Sequence, residues 1–188
     1  MNVFDFDNTI YDGESFVDLF KMMLLRDASV LRHVPRMISG VFQYNIGTLR
    51  LEEGMARYSK YVEQYLAKVP DMHAIVMEFW DNNIHKIKPF YEDVRHEDDI
   101  VISASPEMVI GEICRRIGIN HYIASEVDPV TGRIENMCFR ENKVTAFRKY
   151  YPDVTIDCLY TDSMHDKPLM DISKHVFMVK GNTYKQIK

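Results

Sequence analysis

The opening stretch Met1-Asn2-Val3-Phe4-Asp5-Phe6-Asp7-Asn8-Thr9 constrains this chain more than any other. Its first residues are β-prone, and a strand that stops at Asp5 leaves that carboxylate at its tip with the chain bending directly afterwards. Two carboxylates at i, i+2 repel one another and shift each other's proton affinity. A folded protein must let them share a cation or divide acid and base roles between them. A nucleophile beside a proton donor is one such division. A solvated acid pair in a strand-to-loop turn would give the same short pattern, so the reading turns on what the rest of the chain supplies.

The chain has 188 residues, 46% hydrophobic and 27% charged, enough for one good core plus a small accessory module, which argues against disorder. A formal charge of -5 with no long basic run argues against nucleic acid as the partner, because phosphate-backbone binding is built on clustered Lys and Arg. Cys114, Cys138 and Cys158 are widely spaced with no C-x-x-C. That fits neither a disulfide framework nor a zinc site, and reads as small buried hydrophobes in a reducing cytoplasm. No basic n-region followed by an apolar h-region precedes the first strand, so the expectation is a cytoplasmic protein.

After the first strand, Ser15 is a plausible N-cap for a helix carrying Phe16, Leu19, Phe20, Met23 and Leu24 on one side. Leu51, Met55, Tyr58, Val62, Tyr65, Leu66 and Val69 keep the helical apolar period, and Asp71 opens another helix through Ile75, Phe79 and Trp80. Trp80 and several methionines suit either core or a dimer surface. Roughly 75 residues of helix thus interrupt the chain, and a connection that long must be a module of its own.

Strand character returns at Ile100-Val101-Ile102, a continuous apolar run of the kind buried on both faces of a parallel sheet. Ser105 then reads as an N-cap, with Pro106 in the first turn of a helix running to Gly118. Residues 122–124 precede a hairpin over 127–139, marked by Pro129-Val130-Thr131-Gly132. A helix over 142–151, a strand over 155–161, a short helix near 167–172 and a strand over 175–179 complete the alternation. The expected fold is α/β, a Rossmann-like doubly wound parallel sheet with an inserted all-helical cap. The expected domains are a core over residues 1–12 and 89–188 and a cap over residues 13–88.

In open α/β sheets ligands bind beyond the carboxyl ends of the strands, and Asp5, Ser103 and Asp162 each follow an apolar strand. Asp162 and Asp166 form a second acid pair at i, i+4. If they approach Asp5, three or four carboxylates surround one point, and a hard divalent cation, best Mg²⁺, keeps them ionised together. Lys143 lies at the start of its helix, where the helix dipole does not favour a cation, which points it toward an anion instead.

Taken together, Asp5-x-Asp7-x-Thr9, Ser103, Lys143 and Asp162-x-x-x-Asp166 resemble the four ordered motifs of the haloacid dehalogenase (HAD) superfamily of phosphohydrolases. The helical insertion after the first motif is similar to the C1-type cap of the subfamily IB branch containing phosphoserine phosphatase. The resemblance implies Asp5 as the nucleophile that forms an aspartyl-phosphate, and Asp7 as the acid that protonates the leaving group and then activates water. It implies phosphoryl-oxygen binding by Ser103, Lys143 and Thr9, and Mg²⁺ held by Asp5, Asp7 through its backbone carbonyl, and Asp162, with Asp166 supporting the metal or its waters. An acid at Asp7 favours a phosphatase over a dehalogenase, which needs none there. Thr161 stands where many members carry glycine, and a threonine at a strand end is compatible with the site.

Two features bear on substrate. Glu14 sits where phosphoserine phosphatases carry a glutamate that reads the amino group, and Arg50 could grip a carboxylate; a first-turn helix acid is the plainer reading of Glu14. Asp162-Ser163-x-x-Asp166-x-Pro168-Leu169 is also similar to the branch that includes phosphatidylglycerophosphatase C. Lys21, Arg26, Arg32 and Arg36 flank apolar residues, and residues 37–49 are uncharged. That stretch is short of the about 20 residues needed to span a bilayer, which leaves packing inside the cap or peripheral membrane contact. The expected activity is hydrolysis of a small-molecule or lipid-headgroup phosphate ester. Phosphoserine-specific hydrolysis is its narrow form, and a non-catalytic metal- or phosphate-binding interaction module is the competing class.

Overall fold

The computed structural model describes residues 1–26, 69 and 71–188. In chain order the elements are β1 (Asn2–Phe4), α1 (Ser15–Arg26), α2 (Met72–Asn83), a 3₁₀ turn (Ile84–Lys86), α3 (Phe90–Val94), β2 (Ile100–Pro106) and α4 (Glu107–Ile117). There follow β3 (His121–Val127), β4 (Ile134–Asn136), α5 (Glu141–Tyr150), β5 (Ile156–Thr161), a second 3₁₀ turn (Met164–Asp166), α6 (Lys167–Asp171), β6 (Ser173–Lys180) and β7 (Thr183–Gln186).

The seven strands form one sheet in the order β4-β3-β2-β1-β5-β6-β7. Strands β3, β2, β1, β5 and β6 run parallel, so β1 sits in the middle with Val3 beside Ile100 and Phe4 beside Tyr160. The expected parallel sheet is corrected at its edges, where β4 and β7 are both antiparallel. The 127–139 turn signals gave the first of these. The second turns at Gly181-Asn182, where Gly181 takes φ +58°, a left-handed conformation that glycine adopts without penalty.

Alternation along the central strands feeds both faces of the sheet. Phe4 and Val101 join one apolar cluster with Trp80, Ile110 and Ile113, while Val3, Ile100 and Ile102 join another with Phe147, Ile156 and Leu169. That is the double winding expected from strands buried on both sides. Trp80 is a core residue: it is wholly buried, and its indole N–H donates to the Val109 carbonyl at 2.8 Å. Met72, Val76 and Phe79 join it there, so α2 packs its apolar stripe against the same core as β1.

Local chemistry sets the element ends. Asp71 caps α2 by accepting the Ala74 N–H at 2.9 Å, and α4 ends on Gly118 at φ +72° with the cap N–H returned to the Cys114 carbonyl. Near the site, Asp12 N donates to the Lys86 carbonyl at 2.9 Å and Lys88 N to the Ile10 carbonyl at 2.8 Å. The chain therefore leaves and re-enters the region around β1 at one place.

Candidate active site

Asp5 follows the last residue of β1, its N–H donating to the Tyr160 carbonyl of β5 at 2.9 Å. The bend after it turns through Asn8, whose φ of +56° lies in the left-handed region that asparagine tolerates. The Asp5 carboxylate is buried and meets Lys143 Nζ at 2.7 Å. Lys143, from the first turn of α5, lies at the same distance, 2.7 Å, from Asp166 Oδ1. The other Asp166 oxygen accepts the Thr161 hydroxyl at 2.8 Å. Burial pushes Asp5 well above the ordinary carboxylate range, with Asp166 and Asp7 adding to the rise and Lys143 opposing it. Burial would lower Lys143, but the two carboxylates outweigh it and hold the ammonium above its usual value. The centre is thus a buried carboxylate, lysine, carboxylate chain with excess negative charge.

Asp7 lies beside this chain and is held separately. One of its oxygens accepts the Ser15 N–H at 2.6 Å, and the other accepts the Ser105 hydroxyl at 2.6 Å, with Ser103 Oγ 3.5 Å away. Ser15 Oγ donates to Ser105 Oγ at 3.0 Å and Ser103 Oγ accepts the Ser105 N–H at 3.0 Å. Ser105 is not the helix cap that its position before Pro106 suggests. β2 runs on through Pro106, and the hydroxyl is taken by an acid 98 residues away in sequence. Ser15 likewise caps nothing with its side chain among the described residues; it is the first residue of α1 and gives its N–H to Asp7.

Thr9 is wholly buried between the two acid motifs. Its hydroxyl lies 3.3 Å from Asp5 Oδ2 and 3.5 Å from Asp162 Oδ1, and it accepts the Asp162 N–H at 3.0 Å. These partners make Thr9 a brace between strands β1 and β5 and leave its hydroxyl little room as a phosphate ligand.

The four carboxylates do not all close on one point, contrary to the sequence expectation. Among the described residues no three carboxylate, imidazole or thiolate groups are gathered as an ion cage. The reason is visible in their partners: Asp7 turns to the serines and Asp166 turns to Lys143 and Thr161. What remains is Asp5 with Asp162, two oxygen donors joined through Thr9. Burial, with Asp166 adding to it, keeps Asp162 above the ordinary carboxylate range against the pull of Lys88 and Lys143. One or two carboxylates completed by water and substrate oxygens is how Mg²⁺ is commonly held, so this donor set fits that ion.

Lys88 carries no signal in the sequence, being a lone lysine before a proline, yet it is buried and its ammonium donates to the Asn8 carbonyl. Burial lowers its proton affinity while Asp12 and Asp162 oppose. It adds a second cation near the acid motifs and pins the turn between them. Glu14 lies at the rim, its carboxylate accepting Asn8 Nδ2 at 2.6 Å and raised by burial and by Asp7 and Asp162. Arg50 lies outside the described residues, as do Arg32, Arg36 and residues 37–49. The thiols of Cys114 and Cys138 are buried and pushed up to about 12, as small core hydrophobes are. Among the described residues no helix is long and apolar enough to cross a membrane.

The site is thus a central parallel sheet with paired acids beyond its carboxyl edge, a buried lysine between two of them and hydroxyls around the third. A model of the haloacid dehalogenase-like hydrolase family matches residues 3–171, and the chain belongs to that family. A probable phosphatase of Mycobacterium tuberculosis is 32% identical over 91 residues, a stretch covering 44% of this chain and 31% of that protein. The chain thus matches about a third of that relative's length. Among solved structures, a protein of unknown function from Bordetella pertussis shares the fold at a TM-score of 0.70 and 22% identity, covering 91% of this chain and 85% of that one. A phosphoserine phosphohydrolase-like protein from Francisella tularensis gives a TM-score of 0.58 and 15% identity, covering 94% and 86%.

Proposed function

We propose that this chain is a Mg²⁺-dependent phosphomonoesterase in which Asp5 attacks phosphorus and Asp7 serves the leaving group. The observation that carries the reading is the division between the two acids. Asp5 is buried against Lys143, while Asp7 is separately anchored by Ser105 and the Ser15 N–H. A binding module would have no use for two carboxylates held in such different ways.

In this reading Lys143 draws charge from Asp5 and from the phosphoryl oxygens as the Asp5–phosphorus bond forms and the ester oxygen leaves. Ser103 contributes a hydroxyl at the same strand edge. Asp7 gives its proton to the departing oxygen, then takes one from the water that cleaves the aspartyl-phosphate. Asp166 holds Lys143 in place. Mg²⁺, when held by Asp5, the Asp7 carbonyl and Asp162, supplies Lewis-acid neutralisation of the phosphoryl charge. The domain reading is a core over 1–12 and 89–188 with a C1-type cap over 13–88, supported by the joined ends at Asp12–Lys86 and Ile10–Lys88. The substrate class is a small or lipid-derived phosphate ester, and Glu14 and Arg50 are its candidate readers.

The test is inorganic phosphate release by purified protein, with and without Mg²⁺, from phosphoserine, other small monoesters and phosphatidylglycerophosphate in micelles. Metal-dependent release from at least one ester is expected. Intact metal binding with no release from any would return the weight to a binding module, and chloride release from 2-haloacids would make it a dehalogenase.

Ser105→Ala separates the two acids further. The variant removes the shortest side-chain anchor of Asp7 and leaves Asp5 and Lys143 as they are. Proton donation matters most when the leaving alkoxide is poor, so kcat on an alkyl phosphate is expected to fall by about tenfold or more. Activity on p-nitrophenyl phosphate, whose leaving group needs no proton, should fall far less. Equal losses on both esters would show that Ser105 does not act through Asp7.

A further inference from the structure

The described residues line an apolar pocket of about 140 Å³. Its walls are Phe16, Leu19 and Met23, a single stripe at i, i+3, i+7 on α1, together with the end of β2, the start of α4 and the β3–β4 hairpin. Met72, Met108 and Met137 contribute three more thioether side chains, which adapt to irregular apolar shapes. Ser125 is the one polar side chain among the described lining residues, and its hydroxyl is already spent. It donates to the Ala104 carbonyl at 2.7 Å and accepts the Cys138 N–H at 3.0 Å.

Several residues that line the pocket are chain neighbours of the residues that hold Asp7. Ser105 stands between Ala104 and Pro106, and Ser15 precedes Phe16; all three flanking residues line the cavity. A proton donor marks the side on which the leaving group departs. We infer that this pocket receives the leaving group of the substrate, and that this group is apolar, about the size of a benzene ring or a short alkyl chain. The inference rests on the phosphomonoesterase reading and gives it a substrate class. An engineered cavity of about 150 Å³ in another protein stays dry and holds benzene, which sets the scale. An ammonium or carboxylate placed here would lose its water and find no free partner among the described side chains, so a zwitterionic leaving group such as serine is disfavoured.

The experiment is a series of straight-chain alkyl monophosphates from methyl to octyl, with phenyl phosphate and phosphoserine, assayed for phosphate release with Mg²⁺. Burying one methylene corresponds to about a fourfold change, so kcat/KM is expected to climb by that factor per carbon and level off near about six carbons. Phenyl phosphate should exceed phosphoserine by more than about tenfold on the same scale. Met137→Trp, at the partly exposed pocket rim, should flatten the climb, and Phe16→Ala, which opens the same rim, should move the levelling-off to longer chains. Release from all esters with no dependence on chain length, or a preference for phosphoserine over phenyl phosphate, would overturn this inference while leaving the phosphatase reading intact. No release from any ester would overturn both.

Discussion

Asp5→Asn is expected to abolish metal-dependent phosphate release, by about four orders of magnitude or more, because the amide cannot form the acyl-phosphate. Asparagine keeps the shape of aspartate, so the fold should survive, and stability supplies a second readout. Burial raises Asp5 above its unfolded proton affinity, so the native state holds that proton more tightly than the unfolded chain does. The sign follows. The stabilising contribution is complete below the unfolded value, near about 4, and is lost as pH rises through the folded value. Metal-free wild-type protein should therefore lose stability relative to Asp5→Asn as pH rises from about 4 through neutrality, at no more than about 1.4 kcal/mol per pH unit. Binding a divalent cation requires the ionised carboxylate, so stabilisation by Mg²⁺ should grow over the same range in the wild type and much less in the variant. Urea denaturation at several pH values, with and without Mg²⁺, checks this. Parallel pH profiles for the two proteins would mean that Asp5 is solvated, and retained turnover in Asp5→Asn would remove it as nucleophile.

Much of this arrangement is legible in the sequence wherever local pattern and tertiary role coincide. The 100–118 segment is strand and helix ended by a left-handed glycine because apolar run and glycine agree there, although the strand runs on through Pro106. Lys143 stood out for a physical reason, being a cation at the wrong end of a helix, and it lies between two carboxylates. Partners far apart in sequence are where the reading fails. Ser105 before Pro106 is as good a cap as sequence can offer, and nothing local reveals that Asp7 claims its hydroxyl. Nor does local sequence reveal that the Asp7 side chain is held by serines or that the Asp166 side chain is held by Lys143 and Thr161. Lys88 gives no pattern at all. β7 is exposed along its length and lacks apolar alternation, so only its Gly181-Asn182 turn could have announced it.

Lys143→Met tests the electrostatic argument at its centre. The ammonium is buried and touches Asp5 and Asp166 at 2.7 Å each, so its removal leaves two buried carboxylates facing one another without a cation. Breaking a buried ion pair from one side costs about 3–5 kcal/mol, where replacing the whole group by apolar residues can cost little. Metal-free Lys143→Met should therefore be less stable by about that amount. With the influence that lowers Asp5 gone, that carboxyl rises further above its wild-type value of about 8. The deficit should therefore grow as pH rises past about 8, where wild-type Asp5 ionises and the variant's does not. Adding Asp166→Asn removes one of the two stranded charges and should recover a large part of the loss, a coupling of about 1–3 kcal/mol in a double-mutant cycle. Phosphate release should stay abolished in the double variant, since nothing replaces the cation that neutralises Asp5 and the phosphoryl oxygens. The combination of restored stability with absent activity is the signature that separates a catalytic lysine from a merely structural one. If the single variant is as stable as wild type at both pH 5 and pH 8, the Asp5–Lys143–Asp166 chain does not persist in solution, and Lys143 acts only once substrate is bound.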